Sequence, residues 1–150
     1  MPESTNEIIK AAYLRELAVR YAWTWIGTPY KWGGDDFSSF DCSGFIVEVL
    51  QMVGKLQARD YSAHDLYTLF KPNVVALGYA GCLAFWLNDA GRAVHVMLMV
   101  DNGHVIGAAG GGSGTITEED AIRQNAFVKM RNINYRKANY KIVDPFLGVM

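Results

Sequence analysis

Two stretches near the start of the chain, GTPYKWGG at residues 27–34 and FDCSGF at residues 40–45, carry the most specific pattern in the sequence. Residues 27–40, which begin with the first stretch and contain Tyr30, are rich in Gly, Pro, Ser and Asp, which predicts a loop. The second stretch precedes apolar residues at helical spacing over positions 46–53. We therefore predict that Cys42 lies at the N-terminus of a helix that follows an aromatic loop.

A cysteine in that position has a chemical use. The unpaired N–H groups and the dipole at a helix N-terminus favour an anion, so we expect a lowered pKa for the Cys42 thiol and a reactive thiolate. Gly44 would let a substrate backbone approach closely. Most free cysteines are small core residues, and we assign that role to Cys82, which lies in an apolar strand.

A nucleophilic cysteine needs a base, and the chain has three histidines. His95 is the best candidate because it is the only polar side chain in the apolar run at residues 93–100. We expect His64 to be solvated on a short polar helix face. His104 follows the Asn-Gly turn at residues 102–103 and is predicted to be exposed.

The rest of the pattern predicts an α+β domain in which N-terminal helices pack on an antiparallel sheet. Helices are expected over about residues 5–25, 42–54, 62–71 and 118–124. Strands are expected at about residues 82–87, 93–100, 104–109, 127–135 and 140–143. Residues 110–114, GGGSG, are read as a flexible turn. The whole chain, 1–150, is predicted to be one domain.

Composition excludes several classes of protein. The 150 residues include 14 basic and 15 acidic residues, a net charge of −1, which argues against a protein that mainly grips polyanions. Two cysteines exclude a disulfide scaffold, and no His or Cys pair has metal-ligand spacing, so we expect no metal and no cofactor. No apolar run is long enough to span a membrane. Nothing in the sequence indicates an oligomeric state.

The two opening motifs, followed by AGCLAFW at residues 80–86 and HVMLMV at residues 95–100, resemble the NlpC family of papain-like cell-wall peptidases. Order and spacing are kept over about residues 26–112, although Cys82 stands where the family usually has Asp. The resemblance implies a papain-like fold and a cysteine hydrolase of peptidoglycan stem peptides. Such enzymes typically cut the bond between γ-D-glutamate and a diamino acid.

By position, the resemblance makes Cys42 the nucleophile and His95 the base. Tyr30, Asp41 and Ser43 would contribute to the oxyanion site or to substrate binding, together with backbone N–H groups at the helix start. We expect no secretory signal at the N-terminus, because residues 1–7 are polar. The chain would then be made in the cytoplasm and reach the wall by release or export, or act as a phage lysin or tail component.

The family usually has a third polar residue that orients the histidine, and here that position is Gly107, which has no side chain. His104 cannot replace it. With a two-residue turn it would lie six residues from His95 along the strand, about 20 Å away, and with a three-residue turn it would face the opposite side of the sheet. A backbone carbonyl, a water, Asn88 or Ser113 remains as a candidate.

Three alternatives to an active peptidase stay open. The chain could bind or shape the wall without turnover, which the vacancy at Gly107 favours, or it could be an amidase or acyltransferase with the same Cys–His pair. Six basic residues without an acid between Arg123 and Lys141 could also form a nucleic-acid face. We favour a solvated strand for that stretch and predict no nucleic-acid partner, although the same charges could meet anionic wall polymers.

Overall fold

A computed structural model of the chain describes residues 4–33, 35–36 and 39–148. Its α-helices are α1 (Thr5–Thr24), α2 (Cys42–Met52), α3 (Ala63–Phe70) and α4 (Glu118–Gln124). Its strands are β1 (Asp35–Asp36), β2 (Ser39–Phe40), β3 (Leu83–Leu87), β4 (Ala93–Met99), β5 (His104–Ala109), β6 (Phe127–Asn132) and β7 (Tyr140–Val143). Two 3-10 helices are η1 (Lys71–Asn73) and η2 (Ile133–Tyr135).

Five strands form one antiparallel sheet in the order β6-β5-β4-β3-β7. The predicted α+β class, with helices on an antiparallel sheet, is therefore confirmed. The chain runs from β3 to β6 as a meander, and β7 then returns to the far edge and pairs with β3. β1 and β2 form a separate two-stranded sheet in the segment that was predicted to be loop.

Side-chain caps explain where the helices begin. Asp41 accepts a hydrogen bond from the Gly44 N–H at 2.7 Å and so starts α2. Ser62 and Asp65 form the predicted reciprocal capping box of α3. Ser4 forms one half of such a box at α1, because its side chain accepts the Glu7 N–H. Among the residues that the structure describes, no helix is long and apolar enough to cross a membrane.

The sheet buries apolar side chains on both faces, and β4 shows the alternation most clearly. Val96 and Leu98 join the larger core beneath α1, α2 and α3. Met97 and Met99 point the other way, into a smaller cluster with Trp86. His95 shares that second face, with its ring centre 5.3 Å from that of Trp86. Cys82 is fully buried in the same smaller cluster, which confirms its core role.

A buried ion pair ties α1 to the C-terminal segment. The Asp144 side chain is fully buried. It forms a salt bridge with Arg15 Nη2 at 2.7 Å and accepts a hydrogen bond from the Tyr79 hydroxyl at 2.5 Å. Arg15 also packs on Gly81, where an added Cβ would lie 2.5 Å from the Arg15 Cβ. Because Asp144 has no access to water, its charge depends on these partners.

This pair predicts a large effect on stability. We expect Arg15→Ala to lower the free energy of unfolding by about 3 kcal/mol, because it leaves a buried carboxylate without its cation. The measurement is urea unfolding followed by circular dichroism. Arg20→Ala is the matched control, since Arg20 pairs with Glu16 on the exposed side of the same helix and should cost less than about 0.5 kcal/mol. Equal losses in the two variants would contradict this account.

Candidate active site

A cavity of about 490 Å³ lies where the N-terminus of α2 meets the start of β4. The predicted site residues that carry side chains all line it. These residues are Tyr30, Asp41, Cys42, Ser43 and His95. The fold thus brings together side chains that lie up to 65 positions apart in the sequence, 30 to 95.

Cys42 is the first residue of α2, and its sulfur lies against the β4 backbone. Backbone groups of Val96 and Ser43 hydrogen-bond to the thiolate form and favour it. Burial outweighs them and, with the nearby Asp41 charge, raises the pKa of the Cys42 thiol to about 11. The predicted lowering of this pKa is therefore wrong, because desolvation and an adjacent carboxylate oppose the helix terminus.

His95 is 6% exposed, and its imidazole is held in the neutral form. Burial, followed by the positive charge of Arg136, lowers the pKa of His95 to about 3. Its Nε2 lies 2.7 Å from the Tyr135 hydroxyl, so Nδ1 is the ring nitrogen that remains for a second partner. At neutral pH the Cys42 thiol and the His95 imidazole, which line the same cavity, are both uncharged.

Tyr30 is buried at the cavity wall beneath the glycine-rich turn. A Cβ added at Gly111 would lie 2.2 Å from the Tyr30 ring, so only glycine allows this close approach. Thr115 holds the turn, since its hydroxyl accepts the Gly112 N–H and its carbonyl accepts the Trp32 N–H. The segment that was predicted to be a flexible turn therefore packs against the site. Burial and the Cys42 charge raise the pKa of Tyr30, so its hydroxyl stays protonated.

Asp41 and Ser43 flank the nucleophile in different roles. The Asp41 carboxylate accepts the N–H groups of Gly44 and of Gly33, so it joins the aromatic loop to the helix start. The Ser43 hydroxyl donates to Asp41 at 3.4 Å and is half-buried at the cavity wall. The Asp41 carboxylate is therefore engaged by backbone donors from the loop before Cys42 and from the helix after it.

Gly107, the position where the resemblance places a third catalytic residue, is covered by a side chain from the neighbouring strand. Gly107 is buried in β5, and a Cβ added there would lie 2.8 Å from Met97 Cγ, so the Met97 side chain covers this position. His104 lies at the hairpin end, as predicted, and its ring contacts Asp101. The Val100 N–H donates to the His104 carbonyl, so residues 101–103 form a three-residue turn. Asn88 accepts backbone N–H groups in its own turn.

Three residues near the site were not predicted from the sequence. Tyr135 in η2 contacts the His95 ring, and Arg136 lines the cavity. His64 was expected in solvent, but that prediction is wrong: its Nδ1 accepts the Ala93 N–H at 3.1 Å, and it lines the cavity.

The basic stretch divides into separate environments. Arg123 pairs with Asp120, the Lys129 ammonium donates to the Asn125 carbonyl, and Arg131 lies over the Tyr135 ring. Arg136 differs from these because it reaches the cavity. The expectation of no nucleic-acid partner remains a prediction.

The sequence profile of the NlpC/P60 family, matched against the chain, covers residues 27–136. The chain belongs to the NlpC/P60 family. This confirms the resemblance drawn from the two opening motifs and the histidine strand. The matched region also contains Tyr135 and Arg136 at its C-terminal end.

Relatives of this NlpC/P60 chain include Protein P54 of Enterococcus faecium, with 39% identity over 93 residues, 60% of the chain and 17% of that protein. The probable peptidoglycan endopeptidase LytE of Bacillus subtilis (strain 168) is 33% identical over 90 residues, 58% of the chain and 25% of that protein. The chain therefore spans a quarter or less of these relatives.

Solved structures agree with the fold. The NlpC/p60 domain of the peptidoglycan hydrolase SagA superposes with a TM-score of 0.65 at 26% identity, covering 85% of this chain and 97% of that one. The peptidoglycan hydrolase RipB of Mycobacterium tuberculosis gives a TM-score of 0.68 at 22% identity, covering 95% and 72%. At 22% identity, the similarity to RipB shows the shared fold alone.

The neutral resting pair predicts a pH dependence for Cys42. Because its pKa is raised to about 11, the thiolate fraction grows with pH across the neutral range. Alkylation of Cys42 by iodoacetamide should therefore rise about tenfold per pH unit between pH 7 and 10. Mass spectrometry of the labelled peptides measures the alkylation rate of each cysteine separately.

Cys82 is the internal control, because it is fully buried and should react more slowly than Cys42 at every pH. A Cys42 rate that levels off at neutral pH would indicate a thiolate–imidazolium pair instead of a neutral one. Equal slow rates at both cysteines would contradict the nucleophile assignment.

Proposed function

We propose that this NlpC/P60 chain is a cysteine peptidase that hydrolyses peptidoglycan stem peptides at the bond between γ-D-glutamate and a diamino acid. One observation carries the proposal: Cys42 at a helix start and the neutral base His95 line the same open cavity. A thiol and a base so arranged are the parts of a covalent acyl-transfer mechanism.

The proposed reaction proceeds in two halves. His95 takes the thiol proton while Cys42 sulfur attacks the scissile carbonyl carbon. The resulting tetrahedral species collapses to a thioester, and the protonated His95 gives its proton to the departing amine. Water, deprotonated by His95, then attacks the thioester, which releases the carboxylate product and restores the thiol.

Backbone donors at the start of α2 fit the charge that develops on the carbonyl oxygen. The Ser43 backbone already lies at the Cys42 sulfur, and helix N-terminal N–H groups stabilise negative charge. The protonated Tyr30 hydroxyl is the side-chain donor best placed to assist, because Tyr30 lines the cavity and senses the Cys42 charge.

Removing the nucleophile tests the reaction. We expect Cys42→Ala to abolish release of new amine and carboxyl ends from purified bacterial wall, because no thioester can form. The products are identified by mass spectrometry. Cys82→Ala is the matched control and should retain hydrolysis, since Cys82 is buried away from the cavity lining.

The products also separate the alternatives. Ends from a different amide bond would assign the chain to the amidases, and transfer of the acyl group to an added amine would assign it to the acyltransferases. Wall binding without products at high protein concentration would mean a binding module. Hydrolysis by Cys42→Ala would overturn the mechanism.

Charge in the cavity supports the choice of bond. Arg92 and Arg136 are exposed arginines that line it, and the Arg136 charge reaches both Cys42 and His95. A glutamate linked through its γ-carboxyl keeps a free α-carboxylate close to the scissile carbonyl. Guanidinium groups bind carboxylates with two parallel hydrogen bonds, so a γ-glutamyl substrate complements this lining.

The α-carboxylate can be removed chemically. We expect a stem peptide whose D-glutamyl α-carboxyl is amidated to be cut with about tenfold lower kcat/KM, the effect of one charged hydrogen bond. In Arg136→Gln the two peptides should be cut within about twofold of each other. Arg123→Gln, in the same basic stretch but paired with Asp120, should keep the wild-type preference. A preference that survives Arg136→Gln would contradict this role.

A further inference from the structure

The Nε2 nitrogen of His95 has a side-chain partner. His95 Nε2 lies 2.7 Å from Tyr135 Oη, and the two ring centres are 6.3 Å apart in an edge-on arrangement. Trp86 packs against both rings, at 5.3 Å from His95 and 5.8 Å from Tyr135. The contact therefore involves a buried imidazole packed on an aromatic ring, and a hydrogen bond shielded from water is stronger than an exposed one.

The Tyr135 hydroxyl also hydrogen-bonds to the Arg136 side chain and to Met97, and these neighbours bear on the direction of its bond to His95. The Tyr135 hydroxyl donates to Met97 Sδ at 3.3 Å. A hydroxyl has one proton, so with that proton on the Met97 side its oxygen accepts from His95 Nε2–H. The imidazole then carries its proton on Nε2 and keeps a lone pair on Nδ1, which is the tautomer that can take a proton from Cys42.

Met97 also explains why β5 has a glycine at the position of the usual third residue. The Met97 side chain covers Gly107, and a Cβ at Gly107 would come within 2.8 Å of Met97 Cγ. The side chain whose sulfur accepts from Tyr135 thus occupies the space of a side chain at position 107. One arrangement excludes the other.

We propose that Tyr135 is the positioning residue of His95, through a chain of hydrogen bonds from His95 Nε2–H to Tyr135 Oη–H to Met97 Sδ. This inference rests on the proposed function, because it assigns His95 as the base. It places the orienting group on η2, beyond β6, instead of on β5. Tyr135 touches the base and not the substrate, so its effect is on the tautomer and orientation of the imidazole.

Tyr135→Phe removes the hydroxyl and keeps the ring. We expect kcat for stem-peptide hydrolysis to fall about tenfold with KM nearly unchanged, because the variant loses one hydrogen bond that acts on the base. Tyr140→Phe is the matched control: Tyr140 packs on the same Trp86 ring and should leave both constants unchanged. Equal losses in the two variants, or none in Tyr135→Phe, would overturn the proposal.

A second readout needs no substrate. Nitrogen-15 NMR of the histidine rings, with His95 assigned by comparison with His95→Gln, reports which nitrogen carries the proton. We expect a single Nε2–H tautomer in the wild type and a mixture in Tyr135→Phe. Met97→Leu, which conserves volume but removes the acceptor, should free the tyrosine proton to donate to Nε2 and shift His95 towards Nδ1–H.

This spectrum separates the two levels of inference. If the wild type cuts no stem peptide but the tautomer shifts as described, the proposed function fails and the positioning role stands. If the wild type cuts the peptide and the His95 tautomer is the same in all three proteins, the positioning role fails while the proposed function remains.

Discussion

The carboxylate of Asp41 is the contact on which the site depends. It accepts the Gly44 N–H, which caps α2, and the Gly33 N–H, which belongs to the aromatic loop. One side chain therefore connects the loop before Cys42 to the helix that begins at Cys42. The same charge acts on the chemistry, because Asp41 helps raise the pKa of the Cys42 thiol. The group that caps the helix at Cys42 therefore also disfavours the Cys42 thiolate, and the proposed reaction needs a base.

In the proposed reaction, His95 in the same cavity is that base. His95 is desolvated and lies near the Arg136 charge, and both effects keep its imidazole neutral at physiological pH. In the proposed reaction, the proton of Cys42 therefore stays on sulfur until a substrate carbonyl is bound. The N–H groups at the start of α2 then act on charge that forms during the reaction, which is where such donors have the largest effect.

Local signals in the sequence predicted most of the secondary structure and five of the residues that line the cavity. The capping pairs, the apolar alternation and the Asn-Gly turn each act over a few residues, so α4, β5 and β7 were predicted with the bounds that the structure has. The placement of His64 against β4, and of β7 beside β3, depends on contacts between distant segments. Neither periodicity nor capping carries that information.

The third position shows the limit most sharply, because an alignment by position finds only Gly107. Two features of the sequence become meaningful together: a methionine two residues after His95, on the same face of β4, and a tyrosine 40 residues after His95. A flexible thioether can fill the space that glycine leaves and still accept a hydrogen bond. Since an imidazole needs only one fixed partner on Nε2, the segment that supplies that partner can change while the geometry of the base is kept.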